Sequence, residues 1–165
     1  MNTSIFALLL SVSLSGLAIP ANALSSDHSE RHNKQTHAAA PDKINRMVSN
    51  SFKTDFNNAE ILSYTMSHNV INLTFITNGL VMHAFYTDNG ELLGITRNIL
   101  TNQLPIALLL KFRQDYQGFW VTDLFEATNQ EDHNYFITLE NSETRIVLKS
   151  TDDSNWEIYK KTIKE

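Results

Sequence analysis

The chain has 165 residues, no Cys and a formal net charge of −5. Without Cys there is no disulfide framework, thiolate metal site or Cys nucleophile. The acidic balance is spread along the chain with no basic stripe, which argues against nucleic acid as a partner.

The chain opens on an apolar run, Ile5 to Ile19, followed by Ala21-Asn22-Ala23. The small-residue A-x-A pattern after such a run reads as a secretory signal peptide over 1–23. The run falls short of the roughly 20 residues that span a bilayer, so no stable membrane anchor is expected after cleavage. No later segment is apolar and long enough to span one. Residues 24–41 carry no aliphatic side chain larger than Ala apart from Leu24, and read as a disordered linker. His28, His32 and His37 lie in it. Without fixed geometry they would hold Zn²⁺ or Cu²⁺ only loosely, so no metal site or cofactor is assigned.

One domain is expected over 42–165. Pro41-Asp42 offers a stop and an N-cap. Ile44, Met47, Val48, Phe52 and Phe56 recur at spacings of three and four, which predicts a helix over about 43–57 with Lys53 and Asp55 on its wet side. Strand-like runs follow at about 59–66, 70–77, 80–87 and 91–98. Asn78-Gly79 predicts a type I′ hairpin, and Asp88-Asn89-Gly90 a second turn. With two-residue turns, Ile71, Leu73, Phe75, Met82, Ala84, Tyr86, Leu93 and Ile95 share one apolar face. Asn72, Thr74, Ile76, Val81, His83, Phe85, Gly94 and Thr96 share the other, and Phe85 stands across from Gly94.

The pattern then recurs. "LPIALLLKFRQDY" reads as a helix with Pro105 in its first turn and Leu108, Leu109, Phe112 and Tyr116 as its buried stripe. Runs at about 119–127, 134–140, 144–150 and 155–162 read as strands. Phe52, Asp55 and Phe56 align with Phe112, Asp115 and Tyr116 at an offset of 60, and Ile71, Leu73, Phe75 and Met82 with Tyr135, Ile137, Leu139 and Ile146 at 64. The expected fold class is therefore α+β. It is a tandem repeat of a helix plus a four-strand antiparallel meander (repeat one 43–99, repeat two 104–162), giving about eight strands in one sheet. In the last strand, a loop one residue longer than in the first half would bury Trp156 and Ile158 in place of Glu157.

"FYTDNGELLG" (85–94), "LP" (104–105) and the aromatic helix ends Phe56 and Tyr116 carry a resemblance to small secreted PepSY-like, beta-lactamase-inhibitor-like proteins of Bacteroidetes type. It covers about 43–162, and Tyr64 stands where members often carry Trp. The resemblance implies both helices on one face of the sheet, the other face open, a bacterial periplasmic or secreted location, and a protein partner met across the open face. It does not carry over beta-lactamase as the target, because fold does not fix partner.

No catalytic cluster is legible. Ser51, His68, His83, Asp115 and His133 are candidates in type only, and no G-x-S-x-G elbow, H-E-x-x-H pair or phosphate loop occurs. Glu131-Asp132 and Asp152-Asp153 fall in predicted hairpin loops, where solvated turns outnumber acid/base pairs. The remaining candidate is the open sheet face, with Thr74, His83, Phe85 and Thr96 from the first half and Phe136, Thr138, Arg145 and Lys149 from the second. Aromatics and Arg among small polar residues suit a protein or peptide contact. The expected function is a secreted, non-enzymatic binding or inhibitor-like module acting on a secreted or periplasmic protein or peptide. The alternative is a small-ligand or metal-responsive envelope protein using the His-containing tail or a cleft between the repeats.

Overall fold

A computed structural model describes residues 44–164. The signal-peptide and linker readings, with His28, His32, His37 and Asp42, fall outside the described residues. The elements run α1 (Arg46–Asp55), β1 (Glu60–Ser67), β2 (Val70–Thr77), β3 (Leu80–Thr87), β4 (Leu92–Asn98), a 3-10 turn (Thr101–Gln103), α2 (Ile106–Asp115), β5 (Trp120–Thr128), β6 (His133–Glu140), β7 (Thr144–Ser150) and β8 (Trp156–Ile163). The order helix, then four strands, is met twice. All eight strands form one sheet in sequence order, each antiparallel to the next. The fold class is α+β, with the strands close to where side-chain alternation places them.

The first hairpin is built as its turn chemistry dictates. Asn78 and Gly79 both take positive φ, 50° and 77°, as a type I′ turn requires. Thr77 then stands opposite Leu80, Phe75 opposite Met82 and Leu73 opposite Ala84. The next turn departs from the two-residue expectation. Gly90 takes φ 83° and its N–H donates to Thr87 O at 3.0 Å, so three residues, Asp88 to Gly90, make the loop. Ala84 still meets Ile95 and Phe85 meets Gly94, but Tyr86 meets Leu92. Leu93 is the extra residue of a bulge. It leaves the expected apolar face and packs against Phe85 and its neighbours on the other.

Both helices cover the same side of the sheet. α1 lays Val48 and Phe52 on Ile71, Leu73, Phe75, Ala84 and Tyr86. α2 lays Leu108 on a core that includes Ile137, Leu139, Ile146 and Leu148. The register through Ile95–Thr128 and Leu124–Ile137 puts these two cores on one face. α1 is capped by Asn45, whose Oδ1 accepts from Met47 N at 2.9 Å. Its Nδ2 donates to Asp88 O at 2.7 Å and pins the helix start to the β3–β4 turn. The helix is shorter than the apolar spacing predicts, and Met47 is exposed rather than part of the stripe.

Between the two cores, on the helix side, the sheet carries a polar seam. Arg97 Nη2 lies 2.7 Å from Glu126 Oε1 across the β4–β5 ladder, and His133 Nε2 lies 3.7 Å from Glu126 Oε2. That ladder joins the halves through Ile95–Thr128 to Asn98–Phe125. The last strand follows the longer-loop register, with Ser150 opposite Trp156 and Leu148 opposite Ile158. Trp156 Nε1 donates to Leu108 O at 2.9 Å and ties β8 to α2. Ile158, two residues further along this edge strand, is 57% exposed, so of the expected burial only that of Trp156 is met, and in part.

Candidate functional site

The side of the sheet away from the helices is built from alternate residues of every strand. Register places Thr74 opposite His83, His83 opposite Thr96, Phe136 opposite Lys149, and Thr138 opposite Val147 on this face. Arg145 stands opposite Glu140 on the same face. These positions form an aromatic centre with a polar surround.

The centre is closed. Phe85, Phe125, Ala127, Phe136 and Val147 form a buried cluster, with Val70, Leu93 and Tyr159 packed against it. Phe125 and Phe136 stack with centroids 5.2 Å apart and planes at 12°. Tyr159 meets Phe136 edge-on at 5.7 Å. Such ring pairs stabilise beyond the area they bury. Phe85 and Phe136 are 2% and 1% exposed, so they act as packing in this conformation. Thr96 and Thr138 are also buried. Thr74, His83, Arg145 and Lys149 are partly exposed. Thr74 Oγ1 and His83 Nδ1 are 3.1 Å apart, a cross-strand pair, and burial pushes the His83 pKa below its ordinary value.

Two amides on this face keep unmet polar atoms. Asn72 Oδ1 and Asn134 Nδ2 are buried without a hydrogen-bond partner among the described residues. Asn72 stands opposite Phe85 and Asn134 opposite Ala127. A buried amide atom left without a partner costs about 1–3 kcal/mol, so each is a local weak point of the sheet.

The accessible rim lies at the end of the sheet that holds the Asn78-Gly79 turn. Val81 and Trp120 are 49% and 53% exposed there. Lys164 Nζ lies 5.4 Å from the Trp120 ring centroid and 2.6 Å from Glu140 Oε2. Arg145 Nε lies 3.3 Å from the other oxygen of Glu140. The hydrogen bond from Lys164 is the first cause holding the Glu140 carboxyl below its usual range. Asp123 shares this end, and burial raises its pKa against the pull of the Leu124 N–H and Arg145. A shallow cavity of ≈590 Å³ opens beside it, lined by 98–102 and 121–124, where the two halves join.

Sequence reasoning missed Phe125, Val147, Tyr159, Leu93 and Trp120 as members of this face. Bulges at Leu93, Thr122 and Tyr159 bring Leu93, Trp120 and Tyr159 to this face, and no side-chain pattern announces them, whereas Val147 follows from the same alternation that places Arg145 and Lys149 there. Aromatic content in the β5 run "FWVTDLFEA" was the available signal.

The other chemical candidates do not converge. Ser67 Oγ and His68 Nδ1 are 3.2 Å apart beside the β1–β2 turn, Asp115 pairs with Lys111 at 2.9 Å, and His133 faces Glu126. Ser51 lies on α1 against Gly90. Asn129 Oδ1 accepts from the Glu131 and Asp132 N–H groups. Asp152 accepts from Ser154 and Asn155, and those bonds, the Ser154 hydroxyl first, hold its pKa at about 2. Both acidic pairs are turn architecture. Among the described residues, no group of three His, Cys, Asp or Glu is placed to hold a metal ion.

No protein-family model and no curated protein matches the chain. Solved structures do. A BLIP-like protein of Bacteroides fragilis superposes with a TM-score of 0.60 at 16% identity, covering 71% of this chain and 84% of that one. DUF2874 family proteins of Bacteroides uniformis and Bacteroides ovatus each superpose with a TM-score of 0.63 at 13% identity. They cover 72% of this chain, and it covers 88% and 86% of theirs. The chain thus has the fold of the BLIP-like and DUF2874 proteins of Bacteroides, in line with the inhibitor-like resemblance of its sequence.

Proposed function

We propose that the protein is a non-enzymatic, extracytoplasmic binding module that meets a folded protein partner across the sheet face opposite its helices. The observation that carries this reading is a sheet face that both helices leave free, with Val81 and Trp120 exposed at its rim. A broad face with exposed aromatic and aliphatic side chains at its rim and polar groups around them matches the anatomy of a protein contact. A Bacteroides eggerthii protein of the same fold, with a TM-score of 0.63 and 13% identity, is named as periplasmic. The apolar run at 5–19 fits export to that compartment. Thr74, His83, Arg145 and Lys149 with Trp120 and Val81 would make the contact, while Phe85, Thr96, Phe136 and Thr138 hold the surface in shape.

The test is capture of a partner from extracytoplasmic fractions on the immobilised protein, repeated with Trp120→Ala plus Val81→Asp, and with Met47→Asp plus Leu110→Asp on the exposed side of the helices. Loss of one defined partner with the first pair and retention with the second supports the reading. Failure to capture any protein, or loss only with the helix-side pair, overturns it.

A further inference from the structure

An open sheet has two edges, and these differ in kind. β8 presents Glu157, Lys160 and Lys161 with a bulge at Tyr159. Charge, Lys above all, and a local bulge are the devices that keep an edge strand from pairing with another chain. β1 has no ionised side chain from Ile61 to Ser67. Its one bulge, at Leu62, leaves Ser63 to Ser67 in regular register with β2. Those residues are an extended ladder with one side unpaired among the described residues.

The side chains there point to a specific occupant. Tyr64 and Met66 stand opposite Leu73 and Ile71, on the helix side, while Ser63, Thr65 and Ser67 stand on the other side. Tyr64 packs against the α1 core, but Met66, one step further along the same side, is 55% exposed. An antiparallel copy of β1 centred on Thr65 sets Tyr64 across from Met66 and Ser63 across from Ser67, and repeats both pairs by symmetry. Sulfur against an aromatic ring and hydroxyl against hydroxyl are favourable cross-strand pairs. A self-complementary patch about a two-fold axis is the commonest way for identical chains to associate.

We propose that β1 is a self-association edge, at which two copies of this chain pair Ser63–Ser67 antiparallel and join their sheets into one. Both helix-covered cores then become contiguous through the Tyr64–Met66 pairs, and the two opposite faces line up side by side. So short a seam falls below the roughly 1,200 Å² of a stable standard interface. The association is therefore weak and reversible, and the inference stands independently of the partner proposed above.

Sedimentation velocity over about two decades of concentration, up to ~500 µM, reads it directly. The expected result is a mass rising toward that of two chains for the native protein. Thr65→Lys, which sets two ammonium groups opposite each other across the axis, and Met66→Asp, which sets a carboxylate against the Tyr64 ring of the other copy, should each hold it at one chain. Ile158→Lys on the β8 edge should leave the rise unchanged. Circular dichroism checks that each variant is folded, and amide exchange of the native protein adds a variant-free readout, since protection of 63–67 should grow with concentration. One chain at every concentration, a dimer that survives both β1 substitutions, or one lost with Ile158→Lys overturns the proposal.

Discussion

The Tyr86 hydroxyl donates to Asp55 Oδ2 at 2.8 Å, tying β3 to the last turn of α1. Burial, together with that carboxylate, drives the Tyr86 pKa far above its ordinary value, so the phenol stays a donor. Asp115 occupies the matching place in the second helix, yet it pairs with Lys111 on its own helix. Ser150 stands where Tyr86 does in the first half, and its Oγ accepts from Tyr135 N at 2.8 Å. The same helical phrase therefore does different work in the two halves. Tyr86→Phe is expected to cost about 1–2 kcal/mol by urea unfolding. Asp115→Asn is expected to cost no more than about 0.5 kcal/mol, as an exposed i,i+4 pair would. Equal costs would show that the Tyr86 bond adds nothing.

The two hairpin glycines should respond differently to Ala. Both have positive φ, but a Cβ on Gly79 meets nothing within 4 Å, whereas one on Gly90 would lie 2.8 Å from Ser51 Oγ and 3.1 Å from the Met47 backbone. Gly79→Ala should cost about 1 kcal/mol for the backbone conformation alone. Gly90→Ala should cost clearly more, because α1 must shift off the turn. Thermal unfolding of the two variants gives the ranking.

Truncating the aromatic centre should unfold the face rather than probe it. Phe136→Ala and Phe85→Ala each remove a side chain with almost no exposure, and are expected to cost about 3–5 kcal/mol in denaturant titrations. Trp120→Ala, at the exposed rim, should cost less than either. Binding measurements therefore need the rim substitutions.

His83 makes stability depend on pH in a stated direction. Burial lowers its pKa in the fold from 6.5, so the unfolded chain takes up the proton first. Its contribution is fully present above about pH 6.5 and is lost as pH falls below that value toward the folded pKa. The midpoint of thermal unfolding should drop across this range, and His83→Gln should flatten that part of the profile. An unchanged slope in the variant would assign the effect elsewhere.

Side-chain alternation and turn chemistry made most of the architecture readable in advance. Asn78-Gly79 set the register of β2 against β3 because only a left-handed pair of residues closes that turn. The choice between Trp156 and Glu157 as the inward residue of β8 was also legible, from the penalty of burying a charge. What escaped was whatever depends on one inserted residue. Leu93 changes sides through a bulge, and the same device at Thr122 lets Trp120 share the free face with Asp123. Burial of Phe85 and Phe136 escaped for another reason. Which face they occupy follows from local alternation, but their closure needs Phe125 on β5 and Tyr159 on β8, which meet them only once the whole sheet is assembled. The cap of α1 is Asn45, whose amide serves the helix end and the Asp88 carbonyl together.

The stack of Phe125 on Phe136 has a consequence for how such a scaffold can diversify. Rings that hold strands together cannot also be varied freely to suit a new acquaintance, since each change there is felt by the whole sheet. Novelty is left to the margin, where Val81 and Trp120 can be exchanged at little structural cost. A lineage built on this plan would keep its middle fixed and rewrite its border.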